Sequence, residues 1–264
     1  MKKLIVLLTT ITIFLSGCSS VPLTGRKQLI LVSDSEVLTA SLQQYSEYIS
    51  TAKLSTNAKN TQTVVRVGQK IAMATEQYLR NVGMTDEISN FRWEFKLVQD
   101  PNINAFCMPG GKIVVYEGLM KLVSNDDELA AVMGHEVAHA VAKHSNERMS
   151  QQLVTSYGGA ILSAALSEKS AAVQNIASTV YGLGSQVGVT LPFSRKHESE
   201  ADYMGLVFMA MAGYNMDYAV TFWQKMSAAG GGGTPEFLST HPSDARRIQD
   251  IQKEIPEIRK AMGQ

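Results

Sequence analysis

Apolar positions recur with helical spacing over about residues 35–52 and 61–80. In the second stretch Val64, Val67, Ile71, Ala74 and Tyr78 alternate steps of three and four, which predicts a helix with those side chains inward. From Phe91 to Val98 the period changes to two, so Phe91, Trp93, Phe95 and Leu97 share one face of a strand. Two further short strands follow, and then the pattern turns helical again. Leu129, Ala130, Val132, Met133, Val137, Ala140 and Val141 form a buried stripe on a helix expected to start at Ser124. Asp126, Asp127 and Glu128 sit at the positive end of its dipole, with Lys143, His144 and Arg148 towards the other. A second amphipathic helix opens at Ser194. The expected fold is α+β and predominantly helical, a single domain over 35–264 with a small antiparallel or mixed sheet.

Two spans break the alternation. Between Arg148 and Glu168, and between Lys169 and Arg195, no charged residue occurs. Gln151, Gln152, Ser156, Gln174, Asn175, Gln186 and several glycines argue against membrane crossing, which needs about 20 predominantly apolar residues. An Ala/Gly-rich helical hairpin over 149–194, packed on the domain, is expected instead. Gly230 to Gly233 reads as a flexible loop.

At the N-terminus, Lys2 and Lys3 precede an apolar run from Leu4 to Leu15, the form of a signal peptide over 1–17. It ends in Leu15-Ser16-Gly17-Cys18, which resembles a bacterial lipobox and implies lipidation at Cys18. Residues 18–34, with Pro22 and Gly25, then read as a tether. The only other cysteine is Cys107, so the mature chain is expected to hold no intramolecular disulfide, and Cys107 to be a small buried residue beside a strand. Lys plus Arg total 24 against 24 for Asp plus Glu. With no basic cluster, nucleic acid is not an expected partner.

The chemistry lies in the helix after Ser124. His135-Glu136-Val137-Ala138-His139 is the pattern H-E-x-x-H. Four residues make just over one turn, so both imidazoles leave one face and can grip one Zn²⁺, while Glu136 stands beside them as a general base. A third ligand is needed. His144 is about 140° round from His139 on a continuous helix, so it points elsewhere and is expected at the surface or the helix end. Glu198 and Asp202 share a face of the Ser194 helix. Glu198 becomes the expected third ligand, and Asp202 the acceptor for a ligand imidazole's second N–H. Glu200, roughly 200° from Glu198, cannot share that task.

Further matches surround these motifs. Asn104-Ala105-Phe106 runs to Pro109-Gly110-Gly111, then Ile113-Val114-Val115-Tyr116 and Gly118-Leu119. His241-Pro242 is followed by Arg247. This order over about 90–250 resembles the gluzincin metallopeptidases of the CAAX prenyl endopeptidase and HtpX type, in particular their soluble periplasmic lipoprotein branch. The resemblance implies a zincin-like metallopeptidase domain with one Zn²⁺, whose edge strand at Asn104, Ala105 and Phe106 binds extended substrate by β-augmentation. It offers His241 and Arg247 as catalytic groups for the oxyanion, beside a reading as helix cap and salt bridge. A third reading of His241 is a plug that takes the open zinc position. With Ser19 after Cys18, it also implies an outer-membrane lipoprotein facing the periplasm of a Gram-negative bacterium. The function implied is an endopeptidase that cleaves unfolded or misassembled polypeptides in quality control, in contact with outer-membrane assembly machinery. The alternative is a chaperone-like or binding lipoprotein whose peptidase site is held mostly closed.

Overall fold

The computed structural model describes residues 18–167, 193–229, 235–242 and 245–263. The expected signal peptide, the part of the expected hairpin at 168–192 and the glycine loop lie outside the described residues.

The stretch expected as a tether is docked. β1 (Cys18–Ser20) pairs antiparallel with β2 (Lys27–Leu29). Val21, between them, is buried in the main core, and the Leu31 N–H donates to Ser150 Oγ at 2.8 Å. So short a segment gives periodicity nothing to register, yet one buried valine and a few polar contacts fix it in place.

The two periodic stretches form α1 (Asp34–Thr51) and α2 (Ala58–Asn81). Ser33 opens α1 in a reciprocal capping box with Glu36, which satisfies two backbone donors that a helix start leaves free. Val64, Val67 and Ile71 on α2 are completely enclosed. After α3 (Thr85–Ile88), the strand expected from Phe91 begins only at β3 (Glu94–Val98). Phe91 and Trp93 stack on each other instead, centroids 4.5 Å apart. β4 (Ala105–Met108) and β5 (Lys112–Tyr116) complete a mixed sheet in the order β3-β5-β4. β3 is parallel and β4 antiparallel to the central β5. β4 is therefore an edge.

α4 (Glu117–Leu122) leads into α5 (Asp126–Val141), which carries H-E-x-x-H. Its cap is Asn125, one residue later than expected, whose side chain accepts from the Glu128 N–H. Every residue from Glu128 to His139 is buried, so α5 is a central helix wrapped by others. The chain turns sharply at Lys143 and continues as α6 (His144–Ser167). α7 (Arg195–Met211) then crosses α5 with the two main chains touching. A Cβ on Gly134 would lie 2.9 Å from Gly205 O, and one on Gly205 would lie 2.9 Å from His135 N. Only a glycine pair permits that approach, and it brings the acids of α7 up to the imidazoles of α5. α8 (Asp217–Ala228), α9 (Glu236–Thr240) and α10 (Ala245–Ala261) close the shell. No helix among the described residues is long and apolar enough to cross a membrane.

Candidate metal centre

His135 and His139 leave α5 one turn apart, Glu198 comes from the first turn of α7, and His241 follows α9 directly. All four are buried, and their ligand atoms lie within 4.8 Å of one another. His135 Nε2 is 3.1 Å from His139 Nε2 and 3.2 Å from His241 Nδ1. Glu198 Oε1 is 3.3 Å from His139 Nε2 and 3.1 Å from His241 Nδ1. Zinc bonds of about 2.0–2.1 Å at tetrahedral angles set ligand atoms about 3.3 Å apart. The donor set, two and then three imidazoles with one carboxylate, and its spacing both fit Zn²⁺. Trp223, Phe193 and Phe237 wall the cluster: Phe237 stacks on His241 with centroids 4.4 Å apart, and Phe193 lies 4.0 Å from His139.

Behind His135 stands Asp202, whose Oδ1 is 3.0 Å from His135 Nδ1. Arg247 reaches in from α10 and spends its guanidinium on two acids, Nη2 to Asp202 at 2.8 Å and Nη1 to Glu198 at 2.7 Å, with Nε also on Asp202. It lies over the Trp223 ring at 3.7 Å. These are the contacts of its salt-bridge reading. Burial alone would raise the Asp202 carboxyl, but Arg247 holds it below the usual carboxylate range. Burial likewise opposes Glu198, and Arg247, His241 and His135 overcome it.

Behind His139 the sequence reading fails. His144 is neither exposed nor turned away: it is completely buried, with Nδ1 2.9 Å from His139 Nδ1. The expectation assumed a continuous helix, whereas Lys143 adopts a left-handed φ of 55° that swings His144 back under His139. A lysine gives no warning of such a turn. Glu200 does stand off the Glu198 face, but it is also buried and accepts from His144 Nε2 at 3.0 Å. Arg26 Nε at 2.7 Å and the Thr24 hydroxyl hold Glu200 from the N-terminal hairpin. Arg26 also forks onto Glu147, which accepts from His197 Nε2 at 3.1 Å. All five histidines of the chain are thus buried around one centre. Burial pushes the His144 imidazole down to about 4, and burial drives His139 well below the histidine range, both favouring the neutral ring.

Glu136 faces the cluster beside β4. Its Oε2 accepts from the Cys107 N–H at 2.9 Å, while Oε1 accepts no hydrogen bond and lies 3.4 Å from His241 Nε2. Burial, reinforced by the charge of Glu198, raises its carboxyl to about 7 against the opposing pull of His241. Cys107 is in the strand rather than beside it, and only half-buried. Along β4 the Asn104 C=O accepts from the Tyr116 N–H, which turns the main-chain groups of Ala105 and Cys107 to the open edge. Asn104 and Phe106 have other tasks. The Asn104 amide donates to Glu236 at 2.9 Å, and the Phe106 ring meets Tyr48 edge-on at 5.4 Å.

The sequence pattern of Peptidase family M48 matches residues 60–255, a span that holds every one of the four converging side chains. This chain belongs to peptidase family M48. The M48 family is one of zinc-dependent metallopeptidases, and the chain has a mostly helical α+β fold. It is similar to Mitochondrial metalloendopeptidase OMA1 of Schizosaccharomyces pombe, 39% identical over 68% of this chain and 51% of that protein. The Arabidopsis thaliana protein of the same name is 41% identical over 62% of this chain and 32% of its own length. Beta-barrel assembly-enhancing protease of Escherichia coli is 28% identical over 69% of this chain and 39% of that protein. The chain spans about half or less of the length of these relatives.

These matches correct one expectation. Relatives at 39% and 41% identity are mitochondrial enzymes, against 28% for the Escherichia coli protein, so the outer-membrane, periplasm-facing location implied by the lipobox-like leader is not retained. That reading rested on residues 1–19, whereas the similarity to the family lies in 60–255. The narrower kinship with a lipoprotein branch is likewise not what these relatives show.

Proposed function

We propose that this M48 protein is a zinc-dependent endopeptidase that cleaves unfolded or misassembled polypeptide chains in protein quality control. The observation that carries it is the convergence of His135, His139, Glu198 and His241, whose ligand atoms lie within 4.8 Å of one another, with four of the pairs at 3.1–3.3 Å, near the edge length of a zinc-sized tetrahedron. In this reading His135, His139 and Glu198 hold the metal. When bound, zinc supplies Lewis-acid polarisation of a peptide carbonyl and lowers the pKa of water towards about 7. Glu136 takes the water proton on Oε1 and returns it to the leaving amine, with Oε2 steadied by the Cys107 N–H. Asp202 keeps the proton of His135 on Nδ1, so that Nε2 offers its lone pair. An extended substrate adds to β4 through the outward groups of Ala105. Backbone pairing of this kind needs an unfolded segment and asks little of its sequence. Lipid attachment at Cys18 belongs to the proposal as a membrane tether without a stated compartment, and Cys18→Ser should abolish incorporation of labelled palmitate.

One observation favours the second reading, a site held closed. His241 Nδ1 stands 3.2 Å from His135 Nε2 and 3.1 Å from Glu198 Oε1, where it can serve as a fourth donor, and the segment before it is pinned to the start of the edge strand. Phe237 N–H donates to Ile103 C=O at 3.1 Å, and Glu236 accepts from both Asn102 and Asn104. The same segment thus blocks the metal and the approach to β4. Purified protein should cleave unfolded casein, stop with 1,10-phenanthroline and resume with added zinc. Casein held soluble but uncut, in both the parent and a His241→Ala protein, leaves the binding reading alone standing.

A further inference from the structure

The chain of contacts behind His139 has a fixed polarity. Taking His139 as a zinc ligand through Nε2, as proposed above, its proton must sit on Nδ1. His144 Nδ1, 2.9 Å away, must then be an acceptor, which places the proton of His144 on Nε2. That proton points at Glu200 Oε2, 3.0 Å away. Glu200 in turn is held by Arg26 and Thr24 of the β1–β2 hairpin. Reverse any one tautomer and two N–H groups or two lone pairs collide. Arg26 does more than hold Glu200. Its two terminal nitrogens fork onto Glu147 at 2.6 and 2.9 Å, and Glu147 carries His197, whose ring stacks on His144 with centroids 4.5 Å apart. The imidazole that His139 leans on is therefore gripped at its edge by one carboxylate and on its face by a ring that a second carboxylate holds. Both carboxylates meet in one arginine.

We infer that the N-terminal hairpin is a working part of the metal centre, with Arg26, Glu200 and His144 acting as positioning residues that set the tautomer and aim of His139. His135 has a carboxylate as direct acceptor, whereas His139 has a carboxylate one imidazole removed, supplied with its countercharge by a segment more than a hundred residues distant in sequence. The hairpin is small. Its grip on the domain includes Val21 and Leu23 against the core, the Thr24 hydroxyl on Glu200, the Leu31–Ser150 hydrogen bond and these ion pairs. Whatever loosens it, by pulling on or binding residues near Cys18, should weaken zinc binding at His139 without touching a ligand.

The test is the zinc affinity of the full chain, read by competition with a chromogenic chelator, beside the unfolding midpoint of the metal-free protein. His144→Leu should bind zinc about 10- to 100-fold more weakly, Glu200→Ala about 10-fold, and Arg26→Gln less, the effect fading with distance from the metal. His144→Asn, whose amide oxygen can still accept from His139 Nδ1, should recover much of the loss. The metal-free midpoint of Glu200→Ala and Arg26→Gln should move less than their affinities imply. Affinities within twofold of the parent for Glu200→Ala and Arg26→Gln overturn the inference, and these two outer variants serve even where His144→Leu does not fold. A fall that follows the metal-free midpoint equally in every variant, His144→Asn included, reduces the network to packing and also overturns it. A parent that binds no zinc removes the metal site itself, which separates that failure from this one.

Discussion

The two histidines of H-E-x-x-H are supported from opposite sides by unlike means. His135 rests on Asp202, one residue of a regular helix, and Asp202 is locked by Arg247, itself shielded under Trp223. His139 rests on His144, past a break in its own helix, and only then on Glu200 and Arg26. The first support is short, charged and wholly inside the core. The second is longer, begins with a neutral ring and ends in a half-exposed hairpin. A direct carboxylate acceptor strengthens a ligand imidazole more than a neutral acceptor does, because its charge remains close to the developing cation. His135 should thus be the tighter ligand and His139 the one open to modulation.

Removing what both sides serve should give the largest effect. Glu136→Gln keeps both ligands and both supports but cannot accept a proton, so hydrolysis of casein should fall by about 10²- to 10⁴-fold while bound zinc stays at one per chain. Activity above about a tenth of the parent would take Glu136 out of the mechanism. Next comes the His135 side on its own. Asp202→Ala should weaken zinc by about 10- to 100-fold, measured by the same chelator competition. It also leaves buried Arg247 with one carboxylate, Glu198, in place of two, and so should lower stability more than Glu200→Ala does. Equal losses from both would erase the difference between the sides.

The crossing of α5 and α7 determines whether either support reaches its imidazole. Gly134→Ala should gain a few tenths to about 1 kcal/mol of helix propensity, yet it forces a methyl to within 2.9 Å of Gly205 O. Overpacking of that kind costs about 1–3 kcal/mol, so the net sign is destabilising, and zinc affinity should fall with it as Glu198 is pushed away. A Tm equal to the parent's would mean the helices have room, and that the glycines are not what sets the ligand spacing.

That crossing also marks where the sequence stops being legible. His135, Glu136 and His139 follow from one helical turn, and Glu198 with Asp202 from another, because i and i+4 share a face wherever the helix is regular. The small sheet and the two early helices follow from period alone, though β3 starts three residues later than its apolar pattern, since Phe91 and Trp93 prefer to stack on each other. What failed were positions whose meaning depends on the chain changing direction. His144 looked misplaced only while α5 was extended past Lys143, and residues 18–34 looked loose because the partners of Arg26, Glu147 and Glu200, are so far away in sequence. The glycines at the crossing carry no pattern of their own. A close approach is a property of two helices, and neither one announces it.

The smallest expected effect is the one whose sign matters most. His241 sits 3.1 Å from Glu198 and 3.2 Å from His135, nearer to the metal ligands than a group that only caps a helix would need to be. Its ring is held on the far side by Phe237, which α9 anchors to Ile103 at the start of the edge strand. In the proposed reading, a substrate strand arriving at Ala105 would compete with that anchor, so that pairing with β4 would draw the imidazole away. His241→Ala leaves His135, His139, Glu198 and Glu136 in place and removes the competitor. Basal cleavage of casein should therefore rise several-fold, and zinc affinity should fall modestly with the loss of a fourth donor. Were His241 needed to steady the oxyanion, the same substitution would lower kcat by about 10²-fold or more, the cost of losing one such donor. Unchanged kinetics would leave it a cap. Only a rise fits a residue that stands in the substrate's way, and Phe237→Ala, which frees the ring without deleting it, should produce the same rise at a smaller size.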